Sequence, residues 1–308
     1  MEFEIIENEK SVKVIIKENE KILANATCFW KNTPKIDEKN IGAIGEFESK
    51  IEEAGIKVLN KCEEILKSKN VKTIVAPMNE NTWKKYRTLK FSRGDDLFLL
   101  ENVNPIEHND VFIKAGFKEL YTYTSTKGLV KDAYTSESLD IIEGKIKSEN
   151  IKIRKFNKAN YIEDLKKIYN ISIKSFYRNP LYTDIKEEEF LKQYEQYIHM
   201  IDEDLILIAE KDNEEIGFVF SMPDYNELKN TGKINTIIVK TIAVIPEYEK
   251  LAIGNVMLRK ISQITKNKEY QKWIFAFMYS NNTSQKMAKR NRTEVIREYA
   301  LYGKEIIS

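Results

Sequence analysis

Residues 236–258, TIIVKTIAVIPEYEKLAIGNVML, constrain the fold more than any other stretch of the chain. A β-branched run is stopped by Pro246, and after a short loop apolar residues return at the three-and-four spacing of a helix. A buried strand that turns at once into an amphipathic helix marks a sheet covered by helices. The spacing predicts a helix over 251–266 that opens on a loop with a single glycine, Gly254. Backbone N–H groups at such a start point outward with partial positive charge, so the loop has the form of an anion cradle. The plain alternative is a helix after a proline turn, with no ligand at all.

Patterns of the same two kinds run through the rest of the chain. Alternating runs FEIIE and VKVIIK read as strands, as does NIGAIGEFES near residue 45. In IEEAGIKVLNKCEEILKSKN the apolar positions Ile51, Ala54, Val58, Leu59, Cys62, Ile65 and Leu66 predict one buried helix face. VKTIVAPM reads as a strand stopped by Pro77, and HNDVFIKAGFKELYTYTST as a helix, a glycine cap at Gly116 and a strand. Lys127 to Asn150 is polar and weakly periodic, which places a domain boundary there: 1–130, a linker 131–150, and 151–308. The second part runs strand, two helices, three strands, helix, strand, helix, strand.

At 308 residues the chain is long enough for two ordinary domains. Its 50 basic and 48 acidic side chains give a net charge of +2, which removes the electrostatic argument for bulk nucleic-acid or anionic-membrane binding. The acidic N-terminus MEFEIIENEK does not fit a basic leader, and no apolar run approaches 18 residues, so a cytoplasmic protein is expected. Cys28 and Cys62 are too few for a disulfide framework, and His108 and His199, the only histidines, argue against a histidine metal centre or a Ser-His-Asp hydrolase.

The order of elements in the second part, with a proline turn and glycine-containing helix start after its fourth strand, resembles the GCN5-related N-acetyltransferase (GNAT) superfamily. That family's cofactor loop carries Gln or Arg, two residues, Gly, one residue, then Gly or Ala. IAVIPEYEKLAIGNVML fits this frame, with Glu249 at the Gln/Arg position, Ala252 at the first Gly, and Gly254 at the second. APMN at 76–79, NP at 104–105, KAGF at 114–117, MPDYNELK at 222–229, Asn281 and YALY at 299–302 resemble, in order, segments of bacterial proteins with two GNAT domains in tandem. The resemblance implies an α+β fold: two GNAT-like domains, each a mixed, mostly antiparallel sheet flanked by helices. The first helix start, FESKIEEAGIKVL, lacks the cofactor pattern and carries two adjacent glutamates, so the N-terminal domain is expected to be degenerate.

Carried onto this sequence, the resemblance implies acetyl-CoA as co-substrate, no metal, and an N-acetyl transfer by direct attack of an amine on the thioester. It places the pantetheine arm along Ile242, Ala243 and Val244, and the pyrophosphate at Glu249, Lys250, Leu251, Ala252, Ile253, Gly254 and Asn255. Asn281 would contact the cofactor from the other side, or cap a helix. Glu249 sets a negative charge near an anion unless it turns outward or pairs with Lys250, and Ala252 is tolerable where the backbone is helical. The family's tyrosine acid falls at Ala288, so the usual general acid is missing. Asp224, otherwise a turn residue, and Tyr279, otherwise a rim residue, are the catalytic candidates that a strand end could bring to the cleft. Tyr299 and Tyr302, three apart on a strand, must lie on opposite faces. The aromatic segment SFYRNPLY suggests a cover over an acceptor pocket.

The acceptor expected is a small-molecule or peptide amine, with no nucleic acid or membrane partner and a homodimer as an option. One alternative is an inactive GNAT-fold protein that binds acetyl-CoA or a partner. The other is a tandem transferase with an aminoacyl-tRNA donor, which the near-zero net charge disfavours.

Overall fold

The structure is a computed structural model that describes residues 1–36, 38–101 and 104–306. Its first half holds strands β1 (Glu2–Glu7), β2 (Ser11–Glu18), β3 (Lys21–Phe29), β4 (Lys35–Ile36), β5 (Lys39–Asn40) and β6 (Gly42–Ser49), then helix α1 (Glu52–Ser68). After these come β7 (Thr73–Ala76), β8 (Thr88–Ser92), α2 (His108–Lys114) and β9 (Lys118–Leu129). Helix α3 (Glu137–Ser148) occupies the stretch expected to be a linker. The second half follows as β10 (Ile151–Lys155), α4 (Tyr161–Phe176), α5 (Glu187–Glu195), β11 (Ile206–Lys211), β12 (Glu214–Pro223) and α6 (Tyr225–Thr231). It closes with β13 (Thr236–Val244), α7 (Ile253–Asn267), β14 (Lys272–Tyr279), α8 (Thr283–Arg290) and β15 (Glu294–Glu305).

Each half repeats one device. A meander of antiparallel strands ends in a strand that leads through a helix to a parallel neighbour: β6 beside β7 in the first half, β13 beside β14 in the second. The two meanders join in a single 13-stranded sheet of order β1-β2-β3-β6-β7-β15-β9-β14-β13-β12-β11-β10, with β8 also on β15. The join is an exchange of strands. β9, which ends the first half, lies between β14 and β15 of the second; β15, which ends the chain, lies between β9 and β7 of the first.

Burial follows the exchange. One apolar core fills the second half, another packs α1 and α2 on the first, and a third mixes both, with Ile41, Val75, Tyr123, Leu181, Tyr299 and Leu301. Val58, Leu59, Cys62 and Leu66 of α1 are fully buried as the spacing predicts, but Ile51 is 42% exposed because it is the N-cap and lies before the helix. In α7, Val256, Met257 and Ile261 are completely buried, each contributing about 1.5–3 kcal/mol. No helix among the described residues is long and apolar enough to cross a membrane.

The junction is locked by charge as well. The side chains of Arg297 of β15 and Glu101 of the first half are each 1% exposed and pair at 2.6 Å. Tyr299 Oη donates to the same carboxylate at 3.0 Å. Tyr302 points to the opposite face, where it stacks on Phe112 at 5.3 Å and donates to Asn109 Oδ1 at 2.7 Å.

Candidate active site at the junction of the two halves

Parallel pairing of β13 with β14 runs from Thr236↔Lys272 to Val239↔Phe275 and then stops, although both strands continue. The strands therefore part into a wedge. On the far side of β13, pairing with β12 continues to Gly217↔Val244. Ile245 N–H donates to Ile216 O at 2.9 Å, so by antiparallel alternation Ala243 and Thr241 also turn their backbone groups to β12. Ile242 and Val244 are left with N–H and C=O facing the wedge. Backbone polar groups at an open strand edge need a partner, and an extended ligand with amide groups can supply it.

The two strand ends are bent where they separate. A bulge in β13 at Lys240 and one in β14 at Ala276 and Phe277 break the register, and Phe277 takes φ 56°. A left-handed backbone is costly for a bulky side chain, roughly 1–2 kcal/mol, and such residues gather at functional sites. Here Phe277 N–H is received by Ser125 Oγ at 3.1 Å. Arg87 (φ 68°) and Leu181 (φ 58°) take the same conformation nearby.

At the base of the wedge lies a cavity of about 290 Å³ whose wall is shared between the halves. Val239–Ile242 and Phe275–Tyr279 form one side; Trp83, Arg87 and Tyr123 come from the first half. Phe176, Asn179, Pro180 and Tyr182 line it too, so the SFYRNPLY segment does border a pocket. It is fixed to the first half by Trp83 Nε1, which donates to Thr183 O at 2.8 Å, and by Thr82 Oγ1 to Leu181 O at 3.4 Å. Burial, and then Asp184, push the Tyr182 hydroxyl up to about 12. Burial likewise holds Tyr123 well above the usual phenol range. Both stay protonated, hence donors, at neutral pH.

The helix start beyond the wedge keeps the expected frame with one correction. Residues 246–251 form a 3-10 turn, and Ala252, expected to be tolerable in a helical backbone, is left-handed with φ 54°. A residue there is strained unless it is glycine, which explains why a glycine belongs at this position. The N–H groups of Ile253 and Gly254 open the first turn of α7, while Ala252 N–H donates to Glu249 O at 3.3 Å and Asn255 N–H to Ala252 O at 3.0 Å. Gly254 serves close packing: a Cβ there would come within 3.1 Å of Met287 Cε and 3.3 Å of Ile242 Cγ2. Glu249 and Lys250 are exposed, and no ion pair between them is present among the described residues. The Glu249 carboxylate thus turns to solvent.

The remaining candidates are placed as follows. Tyr279, the last residue of β14, lines the cavity with its ring against Tyr123 at 5.7 Å and Tyr121 at 5.8 Å. Asn281 is exposed in the turn after β14, its Nδ2 3.4 Å from Tyr279 Oη; the residue at the N-cap of α8 is Asn282. Asp224 is not on the cavity wall. It caps α6, taking N–H groups from Asn226 at 3.2 Å and from Leu99 at 2.9 Å, and so ties the second half to the first. Burial raises its carboxyl above the ordinary range. Ala288, at the family's tyrosine position, is buried in the core. The α8 hydroxyl on the wall is Ser284 instead. His108 is buried against Phe47 and His199 is exposed.

Sequence reasoning passed over Arg87, Lys240, Trp83 and Ser284. Lys240 lay within a strand read for its β-branched run, and Trp83 and Arg87 belong to the half expected to be degenerate. The one available signal was the cluster TWKKYR, aromatic and basic just after APMN.

Residues 165–292 match the Acetyltransferase (GNAT) family. Among solved structures, the chain resembles the GCN5-related glucosamine N-acetyltransferase region of a fungal multi-domain GH3 beta-N-acetylglucosaminidase, with TM-score 0.57 and 12% identity over 96% of this chain. It spans only 33% of that protein. A GCN5-related N-acetyltransferase from Sphaerobacter thermophilus gives TM-score 0.55 and 12% identity, covering 97% of this chain and 82% of that one. A tandem GNAT protein from the clavulanic acid biosynthesis pathway gives 0.53 and 8%, covering 96% and 82%. A comparison with curated proteins found no match. At these identities the structural likeness is one of fold, extending across both halves. The chain has a GNAT-like fold along nearly its whole length, and its residues 165–292 carry the sequence match to the GNAT acetyltransferase family.

Proposed function

We propose that this protein is an acyl-CoA-dependent N-acyltransferase that transfers an acetyl group from acetyl-CoA to the amine of a small molecule or peptide, with the cofactor in the second half. One observation carries the reading: β13 and β14 part after Val239 and Phe275, leaving free strand edges between a helix start and a lined cavity. Amide groups of pantetheine would pair with the backbone of Ile242 and Val244 beside Ala243. The pyrophosphate would lie on the amides of Ile253 and Gly254, between Ala252 and Asn255, whose own N–H groups are bonded to Glu249 O and Ala252 O, and flanked by Glu249, Lys250 and Leu251, with Asn281 on the opposite wall. Acetyl-CoA when bound supplies the activated acyl group; the residues hold the thioester and the amine in contact, which is the larger part of catalysis in such a transfer.

Two proton movements remain. Tyr279 is the hydroxyl at the mouth of the wedge, and it would protonate the departing thiolate in place of the tyrosine that Ala288 lacks. No Asp or Glu is among the described residues on the cavity wall, so the amine must arrive neutral and lose its proton to solvent. Asp224, held by two backbone amides, acts by position.

The buried, hydroxyl-free Ala288 favours a second reading, a protein that binds acetyl-CoA without turnover. Incubation with acetyl-CoA and a panel of amines, read by release of free thiol, separates the two. Amine-dependent release that falls about 100-fold or more in Tyr279→Phe supports the transferase. Absence of amine-dependent thiol from every acceptor, with acetyl-CoA still bound, leaves the binding reading standing.

A further inference from the structure

The cavity holds a cation that no described residue neutralises. Arg87 presents its guanidinium to four aromatic rings, 4.2 Å from the centre of Tyr86, 4.6 Å from Phe277, 4.7 Å from Tyr123 and 6.0 Å from Tyr299. Ring faces attract a cation through their quadrupole, but they do not cancel its charge or satisfy its N–H groups. Its one hydrogen bond among the described residues is a long contact from Nη1 to Phe277 O at 3.4 Å. Nε is buried with no partner, and no carboxylate pairs with the group among the described residues.

The nearest internal candidate for a counter-charge is already taken. Glu101 lies behind Tyr299, but Arg297 Nε occupies its Oε1 at 2.6 Å and Tyr299 Oη binds the same oxygen at 3.0 Å. Asp184, beside the lining residue Tyr182, is exposed and outside the wall. A second cation, Lys240, enters the cavity at the β13 bulge, its Nζ 5.3 Å from the Tyr194 ring and 5.9 Å from Phe220. The wall therefore carries two positive charges and, among the described residues, no negative one.

The backbone is arranged to keep Arg87 there. The residue is left-handed, and its N–H is held by Pro77 O at 2.9 Å. Other half-buried arginines of the chain are paired: Arg154 grips Asp164 through two bonds of 2.7 Å. Burying an unpaired charge is unfavourable, and a site that retains one is built for a ligand of opposite sign.

We infer that the acceptor is a small amine bearing a carboxylate, and that the unpaired guanidinium of Arg87 is the group that binds this carboxylate. The inference rests on the acyltransferase reading, since it names what the same cavity receives. A planar guanidinium with free N–H groups matches a carboxylate, and the flanking rings exclude the water that would weaken the pair. The cavity, at about 290 Å³, lies at the small end of ligand sites (about 300–1,000 Å³), and the acetyl group takes part of it. Cationic acceptors such as polyamines are disfavoured, by about a hundredfold for a unit charge about 6 Å from a like charge at an effective dielectric of about 20. The same field favours the neutral, attacking form of the amine.

The test is direct binding. With coenzyme A saturating, the full-length protein is titrated with the twenty amino acids and their matching carboxamides, by calorimetry and by tryptophan fluorescence, to which Trp83 at the wall contributes with Trp30 and Trp273. The inference expects at least one acid to bind ten- to a hundredfold more tightly than its own amide, since charge-assisted hydrogen bonds are worth about 1.5–3 kcal/mol. Arg87→Gln should bring the two within about twofold, while Arg87→Lys, a point charge without the fork, should keep part of the preference. Equal binding of acid and amide in every pair, binding of no acid, or a preference that survives Arg87→Gln would each overturn it. The acid-to-amide comparison uses the unaltered protein, so it does not depend on a variant folding. Coenzyme A affinity, measured first, stands or falls with the acyltransferase reading alone.

Discussion

Replacing Arg297 with methionine removes the charge at the centre of the strand exchange. The guanidinium is buried, and besides Glu101 it donates to Asp95 O at 2.7 Å, Asp96 O at 3.2 Å and Ile296 O at 3.1 Å. Methionine preserves most of the packing but leaves Glu101, among the described residues, with Tyr299 Oη at 3.0 Å and Phe98 N–H at 3.4 Å. Breaking one side of a buried ion pair costs about 3–5 kcal/mol, which for a chain of this size lowers Tm by roughly 5–8 °C. Burial already pushes the Glu101 carboxyl up, against the pull of Arg297 and Tyr299, and loss of Arg297 should push it further. A carboxyl raised in the folded state binds its proton more tightly there than when unfolded. The stability of Arg297→Met should therefore be greatest below the ordinary carboxyl pKa of 4.5 and fall as pH rises through the raised value. Urea unfolding at pH 8 and pH 5 measures this, with Glu101→Leu/Arg297→Met as the double variant that removes both charges. The reasoning fails if the single substitution costs under about 1 kcal/mol at pH 8, if its penalty is the same at both pH values, or if the double variant is no more stable than the single.

Three further outcomes follow from the same structure. The Lys260 ammonium, opposed by burial and helped by Arg259, holds the Glu143 carboxyl of α3 down to about 2. Its contribution is present above the ordinary carboxyl range and lost as pH falls toward about 2, so Glu143→Gln should cost about 1–2 kcal/mol at pH 7 and nothing near pH 2, by calorimetry. Glu249→Gln should change coenzyme A affinity less than about threefold, because an exposed carboxylate is screened by solvent; a tenfold tightening would place that charge against the phosphates. Residues 151–308 expressed alone should be largely unfolded, since β14 loses β9 and β15 loses both neighbours; co-expression with 1–150 should recover a folded complex, and a stable isolated second half would count against the exchange.

What could be read in the sequence was local. The strand and helix around Pro246, most of the face of α1 and the second half's alternation depend on patterns within twenty residues and are present, except that Ile51 lies before α1 and α6 interrupts the run of three strands. β3 went unread because Ala24, Asn25 and Ala26 are poor strand formers; their small size lets α1 pack against the sheet, with both alanines fully buried. α3 went unread because Leu139 and Ile146 are its only fully buried positions. The exchange of β9 and β15 pairs residues more than 140 positions apart, and no period in the sequence records such a partner. The site divides along the same line. The loop frame from Ile242 to Gly254 was visible as a motif, whereas Arg87 became part of the site only through a fold that sets it 4.6 Å from the ring of Phe277.

The central claim is that an acyl-CoA lies between β13 and β14 with its thioester opening on the cavity shared by the two halves. A crystal structure of the protein with acetyl-CoA tests it directly. The expected result is continuous density along Ile242 and Val244, phosphates on the amides of Ile253 and Gly254, and the sulfur within hydrogen-bond reach of Tyr279 Oη. Density at the start of α1 in the first half, or an empty wedge at millimolar acetyl-CoA, would contradict it.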